Sequence, residues 1–178
     1  MKEKALELAA TELQLNKDEL SAEAIDNPFF KQWKIWRVSD GNIPPQVLMV
    51  ATTESEAHKI TIEEGFAQLA AKEPVKIASK EEAKQYIEFF LSVADPMIDI
   101  LSSVDDIPGI SKQDKDQWDK QVRPPIFHKK SDIQYTAMMW MYKQGELFFA
   151  RTDIQKDGSI TMQAEKEAEN IGVGISIE

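Results

Sequence analysis

The chain reads as an α+β protein: a curved antiparallel sheet of about five strands with amphipathic helices packed on one face. Three observations predict this class. Residues 133–162 fall into three alternating segments separated by glycine-bearing turns. Residues 33–38 and 46–51 form a second pair of β-rich segments around a loop with glycine and prolines. Residues 79–94 carry a helix-start signal followed by apolar residues at spacings of three and four.

Taken in order, residues 2–15 place Leu6, Ala9, Ala10 and Leu13 on one stripe among Glu and Lys, the pattern of an amphipathic helix. Asn27-Pro28 breaks the pattern. Trp33–Val38 and Gln46–Ala51 then form a hairpin around Asp40–Pro45, with Trp33 and Trp36 on opposite faces, so that at least one belongs to the core. Over 53–72 the later part is helical, with Ile62, Phe66, Leu69 and Ala70 on one side and Glu73-Pro74 as the break. Residues 75–77 fit a short strand. Ser79-Lys-Glu-Glu82 is a capping box, and the helix it opens carries Ala83, Tyr86, Ile87, Phe90, Leu91 and Ala94 before Pro96 ends it. Residues 98–104 add a further helical turn or two.

Residues 105–130 lack periodicity and contain Pro108-Gly109 and Arg123-Pro124-Pro125, which predicts a long irregular loop with room for a short helix near 113–120. Its largest apolar group, Trp118, is the expected anchor.

The C-terminal third fixes a register. A two-residue turn at Gln144-Gly145 sets Lys143 opposite Glu146 and hence Trp140 opposite Phe149. At Lys156-Asp157-Gly158 a three-residue turn opposes Ile154 with Ile160, Thr152 with Met162 and Ala150 with Ala164, which keeps apolar with apolar. One face is then almost wholly apolar: Ile133, Tyr135, Ala137, Met139 and Met141 with Phe148, Ala150, Thr152 and Ile154. The other grades from Tyr142, Trp140, Leu147 and Phe149 to Met138, Thr136, Gln134, Arg151 and Asp153. After the last strand, Ala164, Ala168 and Ile171 at i, i+4 and i+7 predict a short closing helix that stops at Gly172. Helices over a curved antiparallel sheet resemble the cystatin-like and NTF2-like layouts, a likeness of layout with no motif behind it, and layout does not give function.

Composition bounds the function. At 178 residues the chain can bury roughly 70% of its unfolded surface, enough for one domain spanning 1–178. The absence of cysteine excludes disulfides and thiolate chemistry and fits a reducing, cytoplasmic setting. No apolar run is long enough to span a bilayer, and the acid-interrupted N-terminus is not a signal peptide, so membrane association and export are not expected. A net charge of −10 with three arginines argues against nucleic acid, because counterion release needs clustered cations. The same acidity suits a basic protein partner.

Motifs for catalysis are absent. Gly172-Val173-Gly174 precedes no helix and no phosphate loop occurs. No nucleophile elbow is present, and His58, with Glu54 at a spacing that would share a helix face, lacks the second histidine of a zinc helix. Asp114-Lys-Asp116-Gln-Trp118-Asp119 lacks the central glycine and terminal glutamate of a calcium loop. No metal or cofactor is expected.

Two function classes remain. The first is a non-catalytic protein that binds another, basic protein, as an accessory or immunity-type inhibitor, with Asp114, Asp116, Trp118 and Asp119 of the long loop in contact. The second is a small-molecule binder or cofactor-free enzyme. It would bind a small anion or carboxylate through Arg151, with Trp140, Tyr142 and Phe149 as an apolar wall and with Asp153 and His128 also lining the cavity. A closed second sheet face favours the first, and a deep cavity there favours the second.

Overall fold

In the computed structural model, which describes residues 1–172, the chain is α+β with antiparallel pairing throughout. The strands divide into two sheets, of four and five strands, and the chain into two compact units. The first unit holds Met1–Lys76 with Asp157–Ser159, and the second holds Ile77–Lys156 and the described residues from Ile160 to Gly172.

In the first unit, helix α1 (Lys2–Leu13) ends where Gln14 turns left-handed. The sheet follows in sequence order: β1 (Ser21–Ile25), β2 (Lys34–Ser39), β3 (Val47–Thr52) and β4 (Ala57–Lys59). The buried Ala5 and Ala9 of α1 pack on Val38 and Val50, with Leu6, Trp36 and Leu48 at the margin. Trp36 and Val50 are directly paired, so one sheet face meets the helix. Both tryptophans of β2 and its approach are absorbed by the fold: Trp33 is 2% exposed, and Trp36 donates its indole N–H to Thr52 Oγ1 at 2.9 Å.

Sequence periodicity over 53–72 is only partly realised. The helix is confined to α2 (Ala67–Lys72), and residues 53–60 close the β3–β4 hairpin instead. Residues 75–77 form no strand, although Val75 N–H donates to Asp157 O at 2.8 Å. At Gly158, with φ +93°, a Cβ would lie 2.7 Å from Val75 Cβ and under 3.0 Å from its backbone, so only glycine fits this turn.

The second unit opens with α3 (Lys80–Ala94). Ser79 Oγ accepts from Glu82 N–H at 3.1 Å, which satisfies one orphan donor of the helix start, and the Glu82 carboxylate reaches back to Ala78 N–H at 2.6 Å, just before the cap. Its buried stripe is Ala83, Tyr86, Ile87, Phe90, Leu91 and Val93. The sheet orders β5 (Asp99–Leu101), β7 (Tyr135–Lys143), β8 (Glu146–Ile154) and β9 (Ile160–Ala168), with β6 (Ile126–Lys129) beside β5 on the same edge of β7. Trp140 pairs with Phe149 and Ile154 with Ile160, as the turn chemistry requires. The apolar face is buried at Tyr135, Ala137, Met139, Met141, Ala150, Thr152, Ile154 and Ile160.

Three expectations in this unit are corrected. Residues 98–104 give strand β5 and a 3-10 turn at Val104–Asp106 rather than a helical extension. The segment 105–130 carries the expected short helix as α4 (Lys112–Trp118), but its last part is not irregular, because Ile126–Lys129 forms β6. The closing helix is absent, since β9 runs on to Ala168 as a partner of β8 and a bulge leaves Glu167 without an opposite residue. Gly172 begins the glycine pair noted above, and Val173 and Gly174 lie outside the described residues.

Candidate functional site

Strands β7 and β8 project two different surfaces from their second face. At the hairpin end, Tyr142 and Leu147 are buried under Leu101, Val104, Ile107, Trp118, Val122 and Ile171, with Trp140 and Ala168 packed at the edge. Trp118 is 6% exposed, and its ring meets Trp140 edge-on at 5.8 Å between centroids; Trp140 in turn lies 5.1 Å from Phe149. Such aromatic pairs add to the area they bury. Tyr142 Oη donates to Ile171 O at 3.3 Å and Ile171 N–H to Gly145 O at 2.9 Å, which pins the C-terminal segment over the same end. The cover is held at its start by close backbone approach: a Cβ on Gly109 would sit 2.7 Å from Gly172 O. The wall expected from Trp140 and Tyr142 is therefore occupied by the protein itself.

At the other end the face is polar and open. The cross-strand row His128, Thr136, Asp153, Thr161 lies beside the row Ile126, Met138, Arg151, Gln163. Arg151 Nη2 donates to Asp153 Oδ2 at 2.9 Å, and Thr136 Oγ1 donates to Asp153 Oδ1 at 2.6 Å. Burial pushes the Asp153 carboxyl up. The Thr136 hydrogen bond, then the Arg151 guanidinium and Lys130, outweigh it and hold the group below the usual aspartate range. Arg151 is half exposed. A depression of about 220 Å³ lies here, lined by Phe149, Arg151, Gln163 and Glu165. An anion entering it must compete with Asp153 for the guanidinium. Gln134 has left the face: its side chain accepts from Ile77 N–H at 2.7 Å and donates to Gln155 O at 2.9 Å, tying loops together.

The acidic loop residues divide between structure and surface. Ser111 Oγ caps α4 by accepting from Asp114 N–H at 3.0 Å, while donating to Asp114 Oδ2 at 2.7 Å. Asp116 and Asp119 are exposed, and Lys115 is paired with Asp105. Trp118, on the same short helix, points inward. Helix α4 thus presents charged side chains outward, Lys112 and Asp116 among them, and an indole to the sheet.

Sequence reasoning missed one cluster in the first unit. His58 lies on strand β4, not on a helix, and its partner is Glu56 at 3.0 Å rather than Glu54. Lys72 binds the second oxygen of Glu56. The hydrogen bond from Lys72, then that from His58, holds the Glu56 carboxyl below its ordinary value. The Trp33 ring lies 5.6 Å from His58, and Trp33, Glu56 and Lys72 line an open depression of about 420 Å³. Glu56, Lys72 and His58 are paired with one another, and Glu54 and Ser55 also line the depression. The i, i+2 spacing of Glu56, just before β4, and His58 on it was the available signal.

Among the described residues no group of three or more His, Cys, Asp or Glu is placed to hold a metal ion, and no helix is long and apolar enough to cross a membrane. No protein-family model, curated protein or solved structure matches the chain.

Proposed function

We propose that this chain is a non-catalytic protein that recognises another, basic protein, with the outward face of α4 as part of the contact. The observation that carries this reading is the closure of the aromatic sheet face by Trp118. A small-molecule site on that face needs Trp140 and Tyr142 as its wall, and Trp118 and Ile171 take up the space in front of them. What the closing segment offers to solvent instead is charge, the carboxylates of Asp116 and Asp119 beside the exposed Lys112 and Lys120, on a chain of net charge −10. Complementary charge steers association and sets its salt dependence. The absence of cysteine supports a reducing, cytoplasmic setting.

The test begins with retrieval of the tagged chain from its own cells, followed by reconstitution with the purified protein it retains. The expected complex involves a basic partner and weakens about tenfold or more between low and physiological salt. The combined Asp114→Lys, Asp116→Lys and Asp119→Lys variant is expected to lose that complex. Its stability should fall by only about 1 kcal/mol, because Asp114 alone supports a helix start. Stoichiometric retention of a small molecule that Arg151→Ala releases, with no protein partner, would replace this reading with the second one.

A further inference from the structure

We infer that the groove between α3 and the outer edge of β5 receives an extended basic peptide segment, which adds to β5 as a further strand. This rests on the protein-binding reading and names a second contact for it. Strand β5 pairs with β7 through Asp99, Ile100 and Leu101 on one side only. No strand among the described residues pairs with its other side. An unpaired row of N–H and C=O groups is a template for a further strand.

The two long-chain edges of this sheet are treated differently. Strand β9, nine residues long, carries Glu165, Lys166 and Glu167 along its exposed half, the usual charged protection of an edge. Beside β5 lies instead a groove of about 350 Å³ whose apolar lining is Leu91 of α3 with Pro96, Ile98 and Ile100. Met97, 57% exposed, stands next to it in the chain. Glu88 and Asp99 supply negative charge to the groove. Among the described residues Glu88 is paired with Lys84, at 3.7 Å on the same helix. A strand with alternate apolar and cationic side chains matches these walls: one set meets Leu91, Ile98 and Ile100, with Glu88 at the rim beside Leu91, and the other falls on the opposite sheet face with Asp99. A second copy of this chain does not, because it brings its own Asp99 and a further net charge of −10 to the same edge.

The probe is a fluorescein-labelled six-residue peptide alternating lysine and valine, titrated into the full ¹⁵N-labelled chain. Saturable binding is expected, with the largest amide shifts at Ile98–Leu101 and Glu88–Ser92. N-methylation of alternate peptide amides should weaken it about tenfold or more, the loss expected when backbone pairing is removed. Glu88→Lys, on the exposed face of α3, should weaken it about tenfold while leaving the fold intact. Indifference to N-methylation, shifts centred on α4, or no saturation by about 1 mM peptide would each overturn the inference. Those failures leave the protein-binding reading to its own test, since that complex is scored by the α4 carboxylates and not by the groove.

Discussion

Replacing Phe90 by alanine is expected to destabilise the chain by about 3–5 kcal/mol, the range for deleting a buried aromatic ring and leaving a cavity. Phe90 lies in the middle of α3 and is 0% exposed. The helix around it is fixed at its start by the Ser79 cap and by Glu82, so the backbone cannot readily collapse into the space. Neighbouring positions Ala83, Tyr86, Ile87 and Leu91 are buried too, so the lost contacts have no solvent to replace them. Denaturant unfolding measures the change directly. A loss below about 1 kcal/mol would mean that the stripe read from spacings of three and four does not face the core.

Trp118→Ala is expected to cost about 3–5 kcal/mol by the same mechanism. Its second effect is specific to this site. Without the indole, Trp140 loses the ring that stacks edge-on against it, and the hydrophobic group holding residues 104–122 to the sheet loses its largest member. Proteolysis should then cut within 105–125 faster than in wild type, while the Trp140–Phe149 register persists because β7 and β8 set it independently. Unchanged stability together with unchanged proteolysis would show that the cover is held by other contacts.

How legible the fold was depended on whether neighbouring residues alone decided each element. The β7–β8 and β8–β9 registers followed from Gln144-Gly145 and Gly158, because turn geometry and a two-residue period leave one solution that keeps Ile154 with Ile160. Ser79 likewise announced α3. The short strands β1, β4, β5 and β6 were not legible, since three to five residues such as Ala57–Lys59 or Asp99–Leu101 carry too little periodicity and become strands only by pairing with β2, β3 or β7. At 164–171 a weak stripe of alanines at helical spacing lost to the ladder offered by the full length of β8. As for the site, Arg151 and Asp153 were placed together correctly. Closure of the face beside them was invisible because it depends on Trp118 and Ile171 arriving from distant parts of the chain.

The contact between Trp118 and Trp140 is the point on which the choice between a protein-binding surface and a small-molecule pocket turns. Nuclear Overhauser spectra of the full chain, with a soluble paramagnetic agent to report exposure, measure it. Cross-peaks between the ring protons of Trp118 and Trp140, with Trp118 shielded from the agent, are predicted by the 5.8 Å ring separation and 6% exposure. A Trp118 ring broadened like free tryptophan, with no cross-peak to Trp140, would mean that the aromatic face stands open and that it, rather than the outward face of α4, is the binding site.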